Sequence, residues 1–250
     1  MRSEISATLI GTAIGLFTTY AIAQSTITNK GEGSRAPITF KESLQARGIG
    51  LSHASLVAAL QNGDPQVRIE AASVIAQNHD PEAASLIESA LASESNPKAT
   101  VFLASTLMGL DDATGVRRLT EICTDAALPS QIVADAIFHL VFRGSGAQCI
   151  DGLIKRLQDP NKLDSAMQLI PSLGPLYKKA SQAQQTEILA ALQNHLSDKE
   201  PTTRMVASRA LAQTALPNSA DIIKTALQGE ADPMVRAGMQ SDLTALTGKH

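Results

Sequence analysis

Apolar residues recur along this chain in one helical stripe after another. From Val67 the stripe runs through Ala71 and Ile75, and the same register returns downstream. Ala71 aligns with Ala136, Ala166 and Ala207, while Ile75 aligns with Leu107, Leu140, Ile170, Leu211 and Leu243. The i, i+3, i+4, i+7 spacing predicts a series of first helices, each with one buried face. Second helices are predicted at about Pro81–Ala92, Asp112–Asp125, Ala147–Gln158, Ala183–Leu196 and Asn218–Leu227, each set off by turn residues. The chain therefore reads as all-α helix pairs, and a repeat that cannot bury its apolar face alone must stack on its neighbours.

The helix starts share a phrase. Asp64-Pro65-Gln66-Val67-Arg68 returns as Asp232-Pro233-Met234-Val235-Arg236, and Glu200-Pro201-Thr202-Thr203-Arg204 keeps the acid, the proline and the arginine. Asp or Asn at the first position accepts from the free N–H groups of a helix start. Proline at the next position has a suitable φ and no donor to waste. With Asp64 as phase marker, the other starts are Asn96, Pro129, Asp159, Glu200 and Asp232, about 32 residues apart apart from a longer fourth repeat. Thr100, Val133 and Leu163 stand where the arginine would be, so the second to fourth repeats lack it. Pro171 and Pro175 predict a broken or kinked first helix in the fourth repeat. The array is least regular from Thr100 to Leu163, where a specific binding site would be sought.

A helix pair of this period, opening with Asp-Pro-x-Val-Arg and an alanine three residues on, resembles the HEAT-repeat family. The short period is most similar to the HEAT-like repeats first associated with phycobilisome lyases, over roughly Ser52 to Leu246. The resemblance implies a right-handed α-solenoid of stacked antiparallel helix pairs that serves as a scaffold or adaptor. It also implies that Arg68, Arg204 and Arg236, with Asp64, Glu200 and Asp232, are structural ties between repeats; an anion-binding ladder of the arginines on a groove is the other reading. An enzyme or enzyme subunit of the lyase type and a purely structural envelope protein are the alternatives. One enzyme built from HEAT-like repeats, deoxyhypusine hydroxylase, holds a di-iron centre with His-Glu pairs, and no His-Glu dipeptide occurs here.

The N-terminus reads separately. Met1-Arg2, a long uncharged run from Ile5 and the small-x-small end Ala21-Ile22-Ala23 predict a signal peptide over residues 1–23, cleaved after Ala23. Export to the periplasm or the cell exterior follows, with no membrane span after signal removal; a retained N-terminal anchor helix is the other reading. Residues 24–39 are polar and read as a flexible tail. Residues 40–63 read as N-terminal capping helices ahead of the array at 64–250.

Composition narrows the chemistry. A net charge of −3 excludes the electrostatic footprint of a nucleic-acid binder. An aromatic content of 3 % without Trp disfavours stacking platforms. His53, His79, His139, His195 and His250 form no metal-ligand spacing, so no metal, cofactor or catalytic residue is expected. His139 falls on the buried side of a first helix, and Arg143-Gly144-Ser145-Gly146 reads as a turn. Cys123 and Cys149 permit one disulfide in an oxidising compartment; two buried free thiols are the other reading. Ideal stacking places them at opposite ends of neighbouring second helices and disfavours the bridge, which a distorted Arg143–Gly146 loop would rescue. The candidate surface for a protein or peptide partner is the concave, second-helix face with Arg117, Arg118, Glu121, Asp151, Lys155 and Arg156. Solvated helix charge is the plainer reading of that cluster. The oligomeric state is not legible.

Overall fold

The computed structural model describes residues 38–159 and 166–248. The expected signal peptide with its cleavage after Ala23, the tail through residue 37, Leu163 and His250 lie outside the described residues. The elements are α1 (Phe40–Ala46), α2 (His53–Ala59), α3 (Pro65–Gln77), α4 (Ala83–Ser93), α5 (Pro97–Gly109), α6 (Ala113–Thr124), α7 (Ser130–Phe142), α8 (Ile150–Gln158), α9 (Ala166–Leu169), α10 (Leu173–Tyr177), α11 (Gln182–His195), α12 (Pro201–Thr214), α13 (Ser219–Gly229) and α14 (Pro233–Thr247). No strand occurs among the described residues. The chain divides into two compact units, one ending at Arg118 and one beginning at Leu119.

The helices begin where the phrase places them. Asp64 accepts from the N–H of Gln66 at 2.9 Å, and Asn96 accepts from that of Ala99 at 3.0 Å. Asp232 accepts from Met234 and Val235 at 2.8 and 3.1 Å. A proline opens α3, α5, α12 and α14. There it removes no helical bond, because the first N–H groups have no partner within the helix. Thr39, placed by the sequence in the tail, belongs to α1: it forms a capping box with Glu42.

In the first unit, α3 packs against both α1 and α5, and α2 and α4 pack beside this row. Leu44, Leu56, Ile75, Ile87, Leu103 and Leu107 are completely or almost completely buried. Each such side chain contributes about 1.5–3 kcal/mol relative to exposure. Gly115 sets the approach of α6 to α5: a Cβ there would lie 2.4 Å from both the Ala104 carbonyl oxygen and the Met108 nitrogen. Alanine cannot replace it without moving a backbone.

In the second unit, α12 packs against α10 and α14, with α11 and α13 beside it, and α8 packs against α11. The first helix of the fourth repeat is broken, as its prolines predict. It is divided into α9, a 3₁₀ turn at Ile170–Ser172 and α10. Pro171 lies in the turn, and Pro175 is the third residue of α10, where its missing N–H costs nothing. Leu140, Leu153, Leu169, Leu192, Leu211 and Met239 are fully buried in this unit.

Candidate functional site

The arginines of the phrase build a repeated clamp. Arg68 Nε and Nη2 donate to Glu94 Oε2 and Oε1, both at 2.7 Å. Its Nη1 donates to the carbonyls of Asn62 and Gly63 at 2.6 and 3.2 Å. Arg204 repeats this in the second unit. Its Nε and Nη2 donate to Glu230 at 2.7 and 2.8 Å, and its Nη1 donates to the Asp198 and Lys199 carbonyls at 2.8 and 3.2 Å. Each glutamate also accepts from a backbone N–H two residues on, Asn96 for Glu94 and Asp232 for Glu230. The planar guanidinium thus fastens the loop ahead of its own helix to the loop ahead of the next first helix, in a bidentate geometry that lysine cannot supply. Side-chain hydrogen bonds from Arg204 hold the Glu230 carboxyl down to about 2. Burial pushes Glu94 up, but the Arg68 guanidinium and the Asn96 N–H outweigh it and hold the group below its ordinary value.

The acids of the phrase have other tasks. Asp64 caps α3 and pairs with Arg47 at 2.5 Å, and Asp232 caps α14. Glu200 makes no capping bond. Its longer side chain is a poor cap, and Asp198 accepts the Glu200 N–H instead. Among the described residues, Arg236 makes one side-chain bond, Nη1 to the Glu230 carbonyl at 2.9 Å. The sequence reading missed Glu94 and Glu230. Their signal is a glutamate two residues ahead of the cap, in Glu94-Ser95-Asn96-Pro97 and Glu230-Ala231-Asp232-Pro233. It also missed Asp242, which is buried in α14, accepts from Ser208 Oγ at 2.8 Å and pairs with Arg209 of α12.

Cys123 and Cys149 are bridged, with Cα atoms 5.5 Å apart. Ideal stacking had disfavoured this pairing. The reason for the difference is local: the second helix of this repeat does not begin as an α-helix. Residues Ala147–Cys149 form a 3₁₀ turn entered through Gly146 at φ 102°, a left-handed conformation suited to glycine. Both cysteines are wholly buried.

Arg156 corrects the expected partner surface. It is 6 % exposed and donates to the carbonyls of Leu128, at 3.0 Å, and Asp125. Those oxygens belong to the loop ahead of α7, so Arg156 is a fastening rather than a surface charge. Burial lowers its pKa from the usual value. In the second unit Glu121, Asp151 and Lys155 are exposed, and Asp151 accepts from Gln184 of α11 at 2.6 Å. In the first unit Arg117 is exposed and Arg118 is half-buried.

The histidines are dispersed. His139 is 3 % exposed in α7, and burial lowers its pKa to about 4. His53 meets Asp80 at 2.6 Å, and His195 meets Asp198 at 3.2 Å. His79 sits at φ 54° in the turn before α4, and Asp80 accepts from the N–H of Glu82 there. Among the described residues, no group of three or more His, Cys, Asp or Glu side chains could hold a metal ion. Nor is any described helix long and apolar enough to cross a membrane.

Residues 150–243 match a family model described as HEAT repeats. Among solved structures, an engineered protein is similar at a TM-score of 0.50 and 18 % identity, covering 77 % of this chain and 97 % of its own. A designed armadillo repeat protein in complex with the peptide (KR)4 is similar at a TM-score of 0.41 and 17 % identity, covering 98 % of this chain and 96 % of its own. Human deoxyhypusine hydroxylase is similar at a TM-score of 0.40 and 18 % identity, covering 84 % of this chain and 77 % of its own. No curated protein matches the chain. The fold is all-α and of the helix-pair solenoid class. The segment similar to HEAT repeats runs from α8 into α14.

Proposed function

We propose that the chain is a non-enzymatic HEAT-repeat adaptor, exported to the periplasm or the cell exterior, that binds a protein or peptide along its second helices. The observation that carries this reading is the division of labour among the polar side chains. Those between repeats are spent on fastening, in the Arg68–Glu94, Arg204–Glu230 and Arg209–Asp242 pairs. The second helices of the second unit instead carry Glu121, Asp151 and Lys155 outward. Charges of both signs on a rigid helical face suit a polar, peptide-like partner. The buried Cys123–Cys149 bridge supports an oxidising compartment.

The test is a cross-linked pull-down from the envelope fraction with the full-length gene product and with the double reversal Asp151→Lys, Lys155→Glu. The reading expects one dominant partner, lost in the reversed protein, and a mature chain beginning at Gln24. Identical capture by both proteins would overturn the binding face. A chain isolated with Met1 intact would overturn export by a cleaved signal.

A further inference from the structure

The two filled clamps make the third arginine of the phrase conspicuous. Arg68, Arg204 and Arg236 hold the same place in α3, α12 and α14, and each sends Nη1 to the carbonyl six residues earlier: Asn62, Asp198 and Glu230. In Arg68 and Arg204 the Nε–Nη2 edge is filled by the carboxylate of Glu94 or Glu230. In Arg236 no described residue occupies that edge, and the residue is exposed. Met234, two residues earlier, is 70 % exposed. A guanidinium anchored through one nitrogen thus offers its other edge to solvent.

We infer that the Nε–Nη2 edge of Arg236 is a docking point for a partner protein that presents a glutamate two residues ahead of an Asx-Pro helix start. The molecule supplies both halves of the argument. The two filled clamps show what this edge accepts: a carboxylate held by the N–H two residues on, so that it arrives already oriented. The charge is complementary, and the bidentate geometry selects a carboxylate over an amide or a hydroxyl. An exposed ion pair alone contributes little. This surface lies on α14, a first helix, so the inference stands apart from the proposed binding along the second helices.

The experiment follows the side-chain Nε–H resonances of the arginines by NMR in the full chain. The probe is a synthetic peptide with the sequence of residues 90–109, which contains Glu94-Ser95-Asn96-Pro97. The result expected is a saturable shift of the Arg236 signal, weakened about three- to five-fold when the peptide carries E94Q. The same weakening is expected in R236K, which keeps the charge and loses the fork, read there from the backbone amide shifts of α14. Equal response to the Glu and Gln peptides would overturn the inference. So would an equal shift at exposed Arg117, since that reports bulk attraction only. A shift that depends on protein concentration and ignores the peptide would assign the face to a second copy of the chain, and would overturn it too.

Discussion

The loop ahead of α12 and the loop ahead of α7 lie in the same compact unit and are fastened by different chemistry. At the first, Arg204 of α12 takes the Asp198 and Lys199 carbonyls and locks onto Glu230. At the second, Val133 stands in the arginine position and can do neither. Arg156 instead reaches back from the second helix α8 to the Asp125 and Leu128 carbonyls, and the Cys123–Cys149 bridge ties the end of α6 to the start of α8. Both loops expose carbonyl oxygens that a buried site must satisfy, and both receive a guanidinium. The loss of the arginine at Val133 therefore marks a change of fastening, and need not mark a binding site.

The largest effect separating the two junctions comes from the bridge. Replacing both cysteines with alanine frees a loop with a sequence separation of 26, and chain entropy puts the loss at about 3–4 kcal/mol. Calorimetry of the double variant is expected to show a marked fall in Tm that reductant does not deepen. An unchanged Tm would mean the bridge fastens nothing.

A pH effect of nearly this size is expected from His139, close to the bridged junction in sequence. Burial holds its folded pKa at about 4, against an ordinary value near 6.5. The unfolded chain takes the proton first, so stability falls as pH drops from about 6.5 to about 4 and levels off below. The span is about 3 kcal/mol at most. Urea midpoints across this range are expected to flatten in H139L.

At the clamped junction, E230Q leaves Arg204 with a neutral partner and is expected to cost about 2 kcal/mol. Because the Glu230 pKa is lowered, the clamp's contribution is complete above the ordinary value of 4.5. It is lost as pH falls towards about 2. Acid unfolding of the wild type below pH 4.5 should thus be steeper than that of E230Q. Smaller still, R156M at the bridged junction leaves two loop carbonyls without their donor while keeping an apolar stem. About 1–2 kcal/mol is expected from chemical denaturation, additive with E230Q because the two share no partner.

The helix-pair order was legible because it rests on periodic residues: Ala71 and Ile75 recur in register, and the prolines that open α3, α5, α12 and α14 mark their starts. The broken helix around Pro171 was equally plain, since proline acts through its own backbone. Less legible were pairings between positions that no local pattern connects. Glu94 and Glu230 precede the phrase by two residues and meet an arginine 26 positions earlier, so inspection of the phrase alone passes them by. The cysteine pairing stayed open in the sequence because ideal helices disfavour it, and the bridge forms where Gly146 and a 3₁₀ turn depart from that ideal at Cys149. Arg156 looked like a surface charge because helix charges usually are, and its burial depends on loop carbonyls that sequence does not reveal. Thr114 likewise shares a hydrogen bond with Glu88 that its sequence context does not announce.

Hydrogen–deuterium exchange in the second unit, with and without a dithiol reductant under conditions that open the bridge, tests the two-fastening account most directly. The account predicts that reduction speeds exchange at Asp125–Leu128 and at the start of α8, and leaves residues 198–204 and 230–236 protected. E230Q is predicted to show the reverse. Uniform deprotection of the whole unit in both cases, or no change at Asp125–Leu128 on reduction, would contradict it.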